Sequence, residues 1–174
     1  MGSAAVLLGA LSVRWSGRSL VGAGGHGLRV PLGVLVGLAM AAATVLLHGP
    51  VTGASPALSA DVSRLYEVFR GPGIVGALVL MPVILTCEEV VWRGAVQGAI
   101  ARRASPWLAS AAGTALYTLA HVPYGSPALV LAALGAGFCW SLLRAYSDSL
   151  PAVVAAHAAW SYGVLLFYQS GVAT

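Results

Sequence analysis

Three ionisable side chains lie close together in an otherwise apolar stretch of the chain. Glu88, Glu89 and Arg93 fall within the run 73–100, which contains no other charged residue. A charged side chain at the middle of a bilayer costs about 2.5–3.5 kcal/mol on insertion scales, so such residues face a bundle interior or a water-filled cavity. We therefore expect these three side chains to line an internal site.

The spacing of these residues gives the two glutamates different partners. Glu89 and Arg93 are four residues apart, so on a helix they share a face and can form an ion pair. Glu88 is rotated by about 100° from Glu89 and remains as the free carboxylate, a group that can accept a proton as a general base. The alternative is a structural ion pair that fixes helix packing, with Glu88 protonated and inert.

Two histidines lie in other apolar runs. Measured along each helix at about 1.5 Å per residue, His121 and His157 fall at depths compatible with that of Glu88. Tyr117 precedes His121 by four residues and Ser161 follows His157 by four, so each pair shares one helix face. We therefore expect the two imidazoles to converge with the Glu88 carboxylate inside the bundle.

The composition is that of a membrane protein. Of the 174 residues, 59% are hydrophobic and 8% are charged, and the mean hydropathy is +0.87, whereas a soluble domain has about 25% charged residues. These values exclude a soluble globular protein, a disordered segment, a coiled coil and a nucleic-acid-binding protein. All nine cationic residues are arginine, and the absence of lysine together with abundant Ala, Gly and Val indicates a bacterial chain.

Five apolar runs are candidates for crossing a bilayer, whose core of about 30 Å is spanned by about 20 helical residues. They are residues 31–48, 73–100, 106–121, 127–143 and 150–168. A further apolar run, 3–13, is short for a span, and we interpret it as a short retained helix. The sequence thus predicts an all-α, polytopic transmembrane helical bundle of about five to six spans.

The arginines predict the orientation of this bundle. When five spans alternate, six arginines fall on one side of the membrane: Arg14, Arg18, Arg29, Arg102, Arg103 and Arg144. Loops rich in arginine and lysine stay in the cytoplasm, so this side is predicted to be cytoplasmic. The expected location is the cell (inner) membrane, as a multi-pass protein.

We predict one membrane domain with three parts. Residues 1–30 contain the short N-terminal helix and an arginine-rich cytoplasmic loop, 31–72 the first clear span and an outer loop, and 73–168 the core with the candidate site. Within the outer loop, 61–70 has the pattern of an amphipathic helix that lies on the membrane surface or caps the bundle. Two Gly-x-x-x-Gly pairs, Gly33 with Gly37 and Gly94 with Gly98, predict close helix packing.

Three motifs follow one another in the core: Glu-Glu-x-x-x-Arg over 88–93, Tyr-x-x-x-His over 117–121 and His-x-x-x-Ser over 157–161. In this order and spacing they resemble the CAAX-protease and bacteriocin-processing family (CPBP, or Abi), intramembrane glutamic endopeptidases related to the Ras-converting enzyme. The resemblance covers 73–168, which would be a CPBP-like protease core. In size and composition the chain also resembles myxosortase-type members, which trim C-terminal membrane-anchoring tails.

The resemblance implies hydrolysis of a peptide bond by an activated water molecule. By position in the first two motifs, Glu88 would be the general base and His121 would hold and polarise the water. Glu89 and Arg93 would order the site. No cofactor is implied, and the expected partners are the lipid bilayer and a membrane-embedded or membrane-tethered peptide, such as a leader, a bacteriocin-like peptide or a C-terminal sorting tail.

The third motif would bind the developing oxyanion through His157 and Ser161. The chain departs from the family pattern at two positions. Ser161 stands where Asn is usual, and a Ser hydroxyl reaches less far than an Asn amide. Tyr117 stands where Phe is usual.

Two alternatives remain open from the sequence: a zinc-dependent version of the same protease and a non-catalytic membrane protein. One Glu and two His could hold a catalytic zinc with a fourth position for water, although no His-Glu-x-x-His motif is present. A non-catalytic bacteriocin-immunity-type protein that works by binding would have the same composition. A proton-coupled transporter is disfavoured because so few spans without an internal repeat leave little for alternating access.

Overall fold

The computed structural model describes residues 26–70 and 73–169, and the regular structure of this part is all helical. The elements are α1 (His26–Gly53), α2 (Pro56–Arg70), α3 (Gly73–Glu89), a π-helical segment (Val90–Val96), α4 (Gln97–Ala101), α5 (Pro106–His121), α6 (Pro127–Ser147) and α7 (Leu150–Gln169). A 3₁₀ turn, Val122–Tyr124, links α5 to α6. The all-α prediction is confirmed. The predicted N-terminal helix 3–13, with Arg14 and Arg18, lies outside the described residues.

Serines define where three of these helices begin. The side chains of Ser105, Ser126 and Ser149 accept hydrogen bonds from the backbone N–H groups three residues later, at 3.3, 3.1 and 3.3 Å. Each serine thereby satisfies a donor that the first helical turn leaves free. A proline follows within two residues of each serine and fits the first turn because it has no N–H to satisfy. These caps fix the starts of α5, α6 and α7.

Three of the described helices are long and apolar enough to cross a membrane: Leu28–Gly53, Pro127–Ser147 and Leu150–Tyr168. They belong to α1, α6 and α7 and make a multi-pass membrane protein of this chain. The other two predicted spans correspond to α3 with its π-helical continuation and to α5. The α3 and α5 helices have 17 and 16 residues, and the count of five to six spans stays a prediction.

The most extensive contact between two described helices joins α1 to α7, and small residues allow their close approach. A side chain at Gly33 or Gly37 would collide with the backbone of Ala152 or Ala156 respectively. Further along, Trp160 Nε1 donates to Thr44 Oγ1 at 3.0 Å. Residue numbers therefore increase in the same direction along both helices. The helices are therefore parallel, and the prediction of close packing at Gly33 and Gly37 is confirmed.

Gly98, the second member of the other glycine pair, does not pack in the predicted way against the described residues. A methyl group added at Gly98 would meet no atom within 4 Å. Gly98 follows Gln97, whose face turns towards α5 and α6, so Gly98 itself points away from those neighbours. Spacing alone predicted a contact that the orientation of the helix prevents.

The packing brings four of the predicted cytoplasmic arginines to one end of the bundle. Because α1 and α7 are parallel, Arg29 at the start of α1 lies at the same end of the bundle as the α6–α7 connection, which follows Arg144 closely in sequence. Gln97 donates to Ser141 O at 2.8 Å, which places the end of α4, and with it Arg102 and Arg103, beside the end of α6. This arrangement agrees with the predicted orientation.

At the opposite end, α2 is attached to the start of α6 by a buried carboxylate. Asp61 is 4% exposed, and its Oδ2 accepts from Ser126 Oγ at 2.8 Å and from the Ala128 backbone N–H at 2.9 Å. A carboxylate at a helix N-terminus is stabilised by the free N–H groups there. The α2 helix begins at Pro56, five residues before the predicted amphipathic segment, and Arg64 on its outer face is exposed and pairs with Asp61 at 3.3 Å.

Candidate active site

Two adjacent glutamates end α3 at the point where the helix changes to π-helical geometry. Glu89 is fully buried, whereas Glu88 is half-buried. The π-helical segment runs from Val90 to Val96. π-Helical turns are rare in proteins and are found frequently at functional sites.

Glu89 is the centre of a group of charged side chains that joins three helical elements. Its Oε1 accepts from Arg93 Nη1 at 3.0 Å and from His157 Nδ1 at 2.8 Å. Glu89, Arg93 and His157 are 0%, 1% and 4% exposed, so all three need partners to offset the loss of hydration. The predicted ion pair between Glu89 and Arg93 is confirmed, and His157 is a further partner that spacing along one helix could not show.

Aromatic rings and a backbone carbonyl complete the surroundings of Arg93. Its Nη2 donates to Gly137 O at 2.9 Å, and its guanidinium carbon lies 4.5 Å from the Tyr117 ring centroid and 5.4 Å from that of Trp140. The Trp140 ring also stacks on His157, with centroids 3.7 Å apart. Trp140 therefore packs against both the Arg93 guanidinium and the His157 imidazole and restricts their orientation. We call Glu89, Arg93, Trp140 and His157 the Glu89 cluster.

Gly137 makes this arrangement possible. A β-carbon at this position would lie 2.8 Å from Tyr117 Cδ1 and 3.2 Å from Arg93 Nη2. The first distance is shorter than packed atoms adopt and the second is tighter than most such contacts, so a glycine at this position lets α6 approach the Tyr117 ring closely. Gly137 and Trp140 were not predicted from the sequence. A signal exists in the small residues Ala133, Ala136 and Gly137, which repeat at helical spacing ahead of Trp140 and form a buried face of α6.

Glu88 lies in a second and less enclosed group. The Tyr117 hydroxyl donates to Glu88 Oε2 at 3.4 Å, and the edges of Trp92 and His121 meet the Tyr117 ring at centroid distances of 5.4 and 4.4 Å. We call Glu88, Trp92, Tyr117 and His121 the Glu88 cluster. Tyr117 belongs to it through its hydroxyl and touches the Glu89 cluster through its ring.

His121 has a defined tautomer in this arrangement. Its Nδ1 lies 2.8 Å from the backbone oxygen of Tyr117. A carbonyl oxygen can only accept, so Nδ1 carries the proton, and Nε2 of the neutral ring keeps its lone pair. His121 can therefore accept a hydrogen bond through Nε2.

The structure brings five of the six sequence-predicted site residues into these two clusters. Glu88 and His121 belong to one, and Glu89, Arg93 and His157 belong to the other. Ser161, the sixth, lies one turn beyond His157, is half-buried, and makes no hydrogen bond with any residue in the described ranges 26–70 and 73–169. No described hydrogen bond joins the Glu88 side chain directly to His121, and the Tyr117 residue connects them.

Below the Glu89 cluster, towards the end with the arginines, a buried polar network joins α4, α5 and α6. Gln97 Nε2 donates to Ser141 O at 2.8 Å and to Ser110 Oγ at 3.3 Å, and Thr114 Oγ1 donates to Ser141 Oγ at 3.1 Å. All four side chains are at most 2% exposed. Gln97 follows Arg93 by four residues, and this spacing places both side chains on one helix face. The network holds the three helices in register beneath the site.

The described residues contain no group of three or more His, Cys, Asp and Glu side chains arranged to hold a metal ion. The Nδ1 atoms of His121 and His157 are engaged by Tyr117 O and Glu89 Oε1 respectively.

One family model matches the chain. Residues 70–163 match the Rce1-like family, described as type II CAAX prenyl endopeptidase Rce1-like. The matched segment is more than half of the chain and includes both clusters and Ser161. No curated protein and no solved structure matches the chain.

Proposed function

Because the chain belongs to the Rce1-like type II CAAX prenyl endopeptidase family, we propose that it is an intramembrane endopeptidase in which Glu88 activates water. One observation carries the choice of Glu88. Of the two adjacent acids, Glu89 is fully buried and bonded to Arg93 and His157, whereas Glu88 is half-buried and, among the described residues, has a single hydrogen bond, to Tyr117. Only Glu88 is open to a water molecule.

His121 is suited to hold that water. Its Nδ1–H is committed to the Tyr117 carbonyl, so Nε2 presents a lone pair that can accept a hydrogen bond from water. A water held between His121 Nε2 and the Glu88 carboxylate would have one of its protons directed at the base. Orientation of this kind is a large part of the advantage of an enzyme over free solution.

His157 is suited to bind the oxyanion. Its Nδ1 proton is donated to Glu89, so Nε2 has a proton to offer only when the ring is an imidazolium. That charge balances the site, because Glu88 and Glu89 carry two negative charges and Arg93 carries one positive charge. We therefore take His157 as the imidazolium, with Nε2–H as the donor. One such donor contributes about 10²–10³ in rate.

The proposed reaction then follows in two steps. The water oxygen attacks the carbonyl carbon of the scissile bond while one water proton passes to Glu88, and the carbonyl oxygen becomes the oxyanion beside His157. As the tetrahedral intermediate collapses, the C–N bond breaks and Glu88 returns its proton to the leaving nitrogen. The products are a new carboxyl group and a new amine, and Glu88 is again ionised.

The apolar surroundings support a substrate that itself lies in or on the membrane. The site lies within a bundle whose described helices include three long enough to span a bilayer. We propose a membrane-embedded or membrane-tethered peptide, such as a leader segment, a bacteriocin-like peptide or a C-terminal sorting tail, processed by a myxosortase-type member of the family in the cell (inner) membrane.

The deciding experiment compares wild type with Glu88→Gln in bacterial cells from which the native copy has been deleted. Mass spectrometry of membrane-associated peptides should find shortened ends in wild-type cells that are reduced about 10²–10⁴-fold in the variant, because an amide cannot accept the proton. Asp148→Asn is the matched control. It makes the same carboxylate-to-amide change at an exposed site, and Asn tolerates the left-handed backbone at that position.

The other outcomes favour the other functions. Identical processed ends in wild-type and Glu88→Gln cells would refute hydrolysis and favour the immunity-type binding protein. With the purified protein, and with the uncleaved precursor of the peptide that is processed in cells as substrate, cleavage should continue in the presence of a chelator. Loss of cleavage that zinc restores would instead favour the zinc-dependent protease.

A further inference from the structure

The ring of Tyr117 is held on several sides by its neighbours. Arg93 lies over one face at 4.5 Å, the edges of Trp92 and His121 meet it at 5.4 and 4.4 Å, and Gly137 leaves no room for even a methyl group beside it. The residue is 4% exposed. Because the ring cannot tilt without displacing these groups, the direction of its hydroxyl group is fixed as well.

A phenylalanine would make every one of these ring contacts. What tyrosine adds is one hydroxyl group, and a buried hydroxyl group is costly unless it forms a hydrogen bond. The bond that the structure gives it is to Glu88 Oε2, at 3.4 Å. This is long for an O–H···O bond, as catalytic hydrogen bonds often are before substrate binds. The hydrogen bond to Glu88 is therefore what offsets the cost of burying this hydroxyl group.

We propose that Tyr117 is a positioning residue for Glu88, an inference that rests on the proposed function. The hydroxyl occupies Oε2 of the carboxylate and holds its plane. The second oxygen, Oε1, has no hydrogen-bond partner in the part of the chain that the structure describes, and it is left for the water. Tyr117 acts through Glu88 and does not itself touch the reacting atoms.

The same residue also sets the direction of His121. The backbone oxygen of Tyr117 accepts the His121 Nδ1 proton, while its hydroxyl group reaches Glu88. Tyr117 thus positions both groups: its side chain positions the Glu88 carboxylate, and its backbone oxygen positions the His121 imidazole. Removal of the hydroxyl leaves the His121 contact intact and frees only the carboxylate.

Tyr117→Phe tests the proposal, because it removes the hydroxyl group and keeps the ring. On the peptide found to be processed in cells, kcat should fall roughly tenfold, while KM and the thermal unfolding midpoint stay close to wild type. Tyr124→Phe is the matched control, since Tyr124 is exposed and its ring lies 6.0 Å from His121. It should leave kcat unchanged. An unchanged kcat in Tyr117→Phe overturns the proposal, and so does a loss of kcat that is matched by a loss of stability.

Infrared spectroscopy supplies a readout that does not depend on turnover. The chain has only five Asp and Glu side chains, so the carboxyl band of Glu88 can be assigned as the band that Glu88→Gln removes. That band should shift in Tyr117→Phe and stay in place in Tyr124→Phe, and an unshifted band refutes the hydrogen bond whatever the activity. If Glu88→Gln keeps full processing, the proposed function fails and the positioning role with it, while the band still decides whether the hydroxyl binds Glu88.

Discussion

The Glu88 and Glu89 clusters lie side by side, yet they treat the same kind of side chain in opposite ways. In the Glu89 cluster a fully buried carboxylate is bonded to Arg93 and His157 at 3.0 and 2.8 Å. In the Glu88 cluster the carboxylate is half-buried, and its one hydrogen bond within the part of the chain that the structure describes is a long one to the Tyr117 hydroxyl. One peptide step and a rotation of about 100° separate the two environments.

The difference shows how a membrane protein can keep a reactive acid. A carboxylate without water is tolerated only with charged or hydrogen-bonding partners, and those partners make it unavailable for proton transfer. The Glu89 cluster accepts that cost and supplies a rigid, charged framework. Glu88 is attached to this framework through the Tyr117 ring and keeps an open oxygen. In the proposed mechanism Glu89 gives the site its structure and Glu88 is left for chemistry.

The largest contrast is expected when each acid is replaced in turn by its amide. Glu89→Gln should lower the free energy of unfolding by about 3–5 kcal/mol, because it leaves Arg93 and His157 buried without their counter-charge. Glu88→Gln should change stability by less than about 1 kcal/mol, since its side chain is half-buried with one long bond. Denaturant unfolding of the purified variants in lipid measures both. Equal effects would mean that the two acids do not differ as described.

A smaller effect is expected from Gly137→Ala, which acts on the contact between the clusters. The added methyl group would lie 2.8 Å from the Tyr117 ring and 3.2 Å from Arg93, and such overpacking costs about 1–3 kcal/mol. Activity should fall as well, because Tyr117 would move away from Glu88. Gly135→Ala on the same helix is the control, since a methyl group there meets nothing within 4 Å. If both variants behave like wild type, the close approach of α6 is not required.

The smallest effect is expected at Ser161. This side chain makes no hydrogen bond with the described residues, so Ser161→Ala should reduce kcat by less than about threefold, whereas His157→Gln should reduce it by about 10²–10³. Measurement of kcat on the same uncleaved precursor peptide compares the two variants. A loss at Ser161 as large as that at His157 would make the serine hydroxyl an oxyanion donor in its own right.

Much of the fold could be predicted from local sequence. The starts of α5, α6 and α7 follow from serine caps and nearby prolines, whose preferences act within a few residues. The Glu89–Arg93 pair was predictable for the same reason, since four residues along a helix fix the geometry. The burial of Asp61 was not, because it depends on the start of α6, which is distant in sequence.

The site required contacts that no single helix contains. His157 meets Glu89 across 68 positions of the chain, and Trp140 and Gly137 enter from a third helix that carries none of the three motifs. The Gly98 prediction failed for a related reason, because spacing identifies a small-residue face without showing whether a neighbour lies opposite. Periodicity gives directions around one helix axis, and only packing says what each direction meets.

The sequence by itself determined that this is a helical membrane protein with ionisable groups inside it, because hydropathy and helical spacing are properties of each segment alone. It also determined which residues could take part in chemistry, since few polar side chains stand in apolar runs. Helical spacing paired Glu89 with Arg93 and left Glu88 free, and the tertiary structure decided how deeply each carboxylate is buried and what else it meets. That outcome depends on where α5, α6 and α7 place a tyrosine, a glycine, a tryptophan and a histidine around one turn of α3.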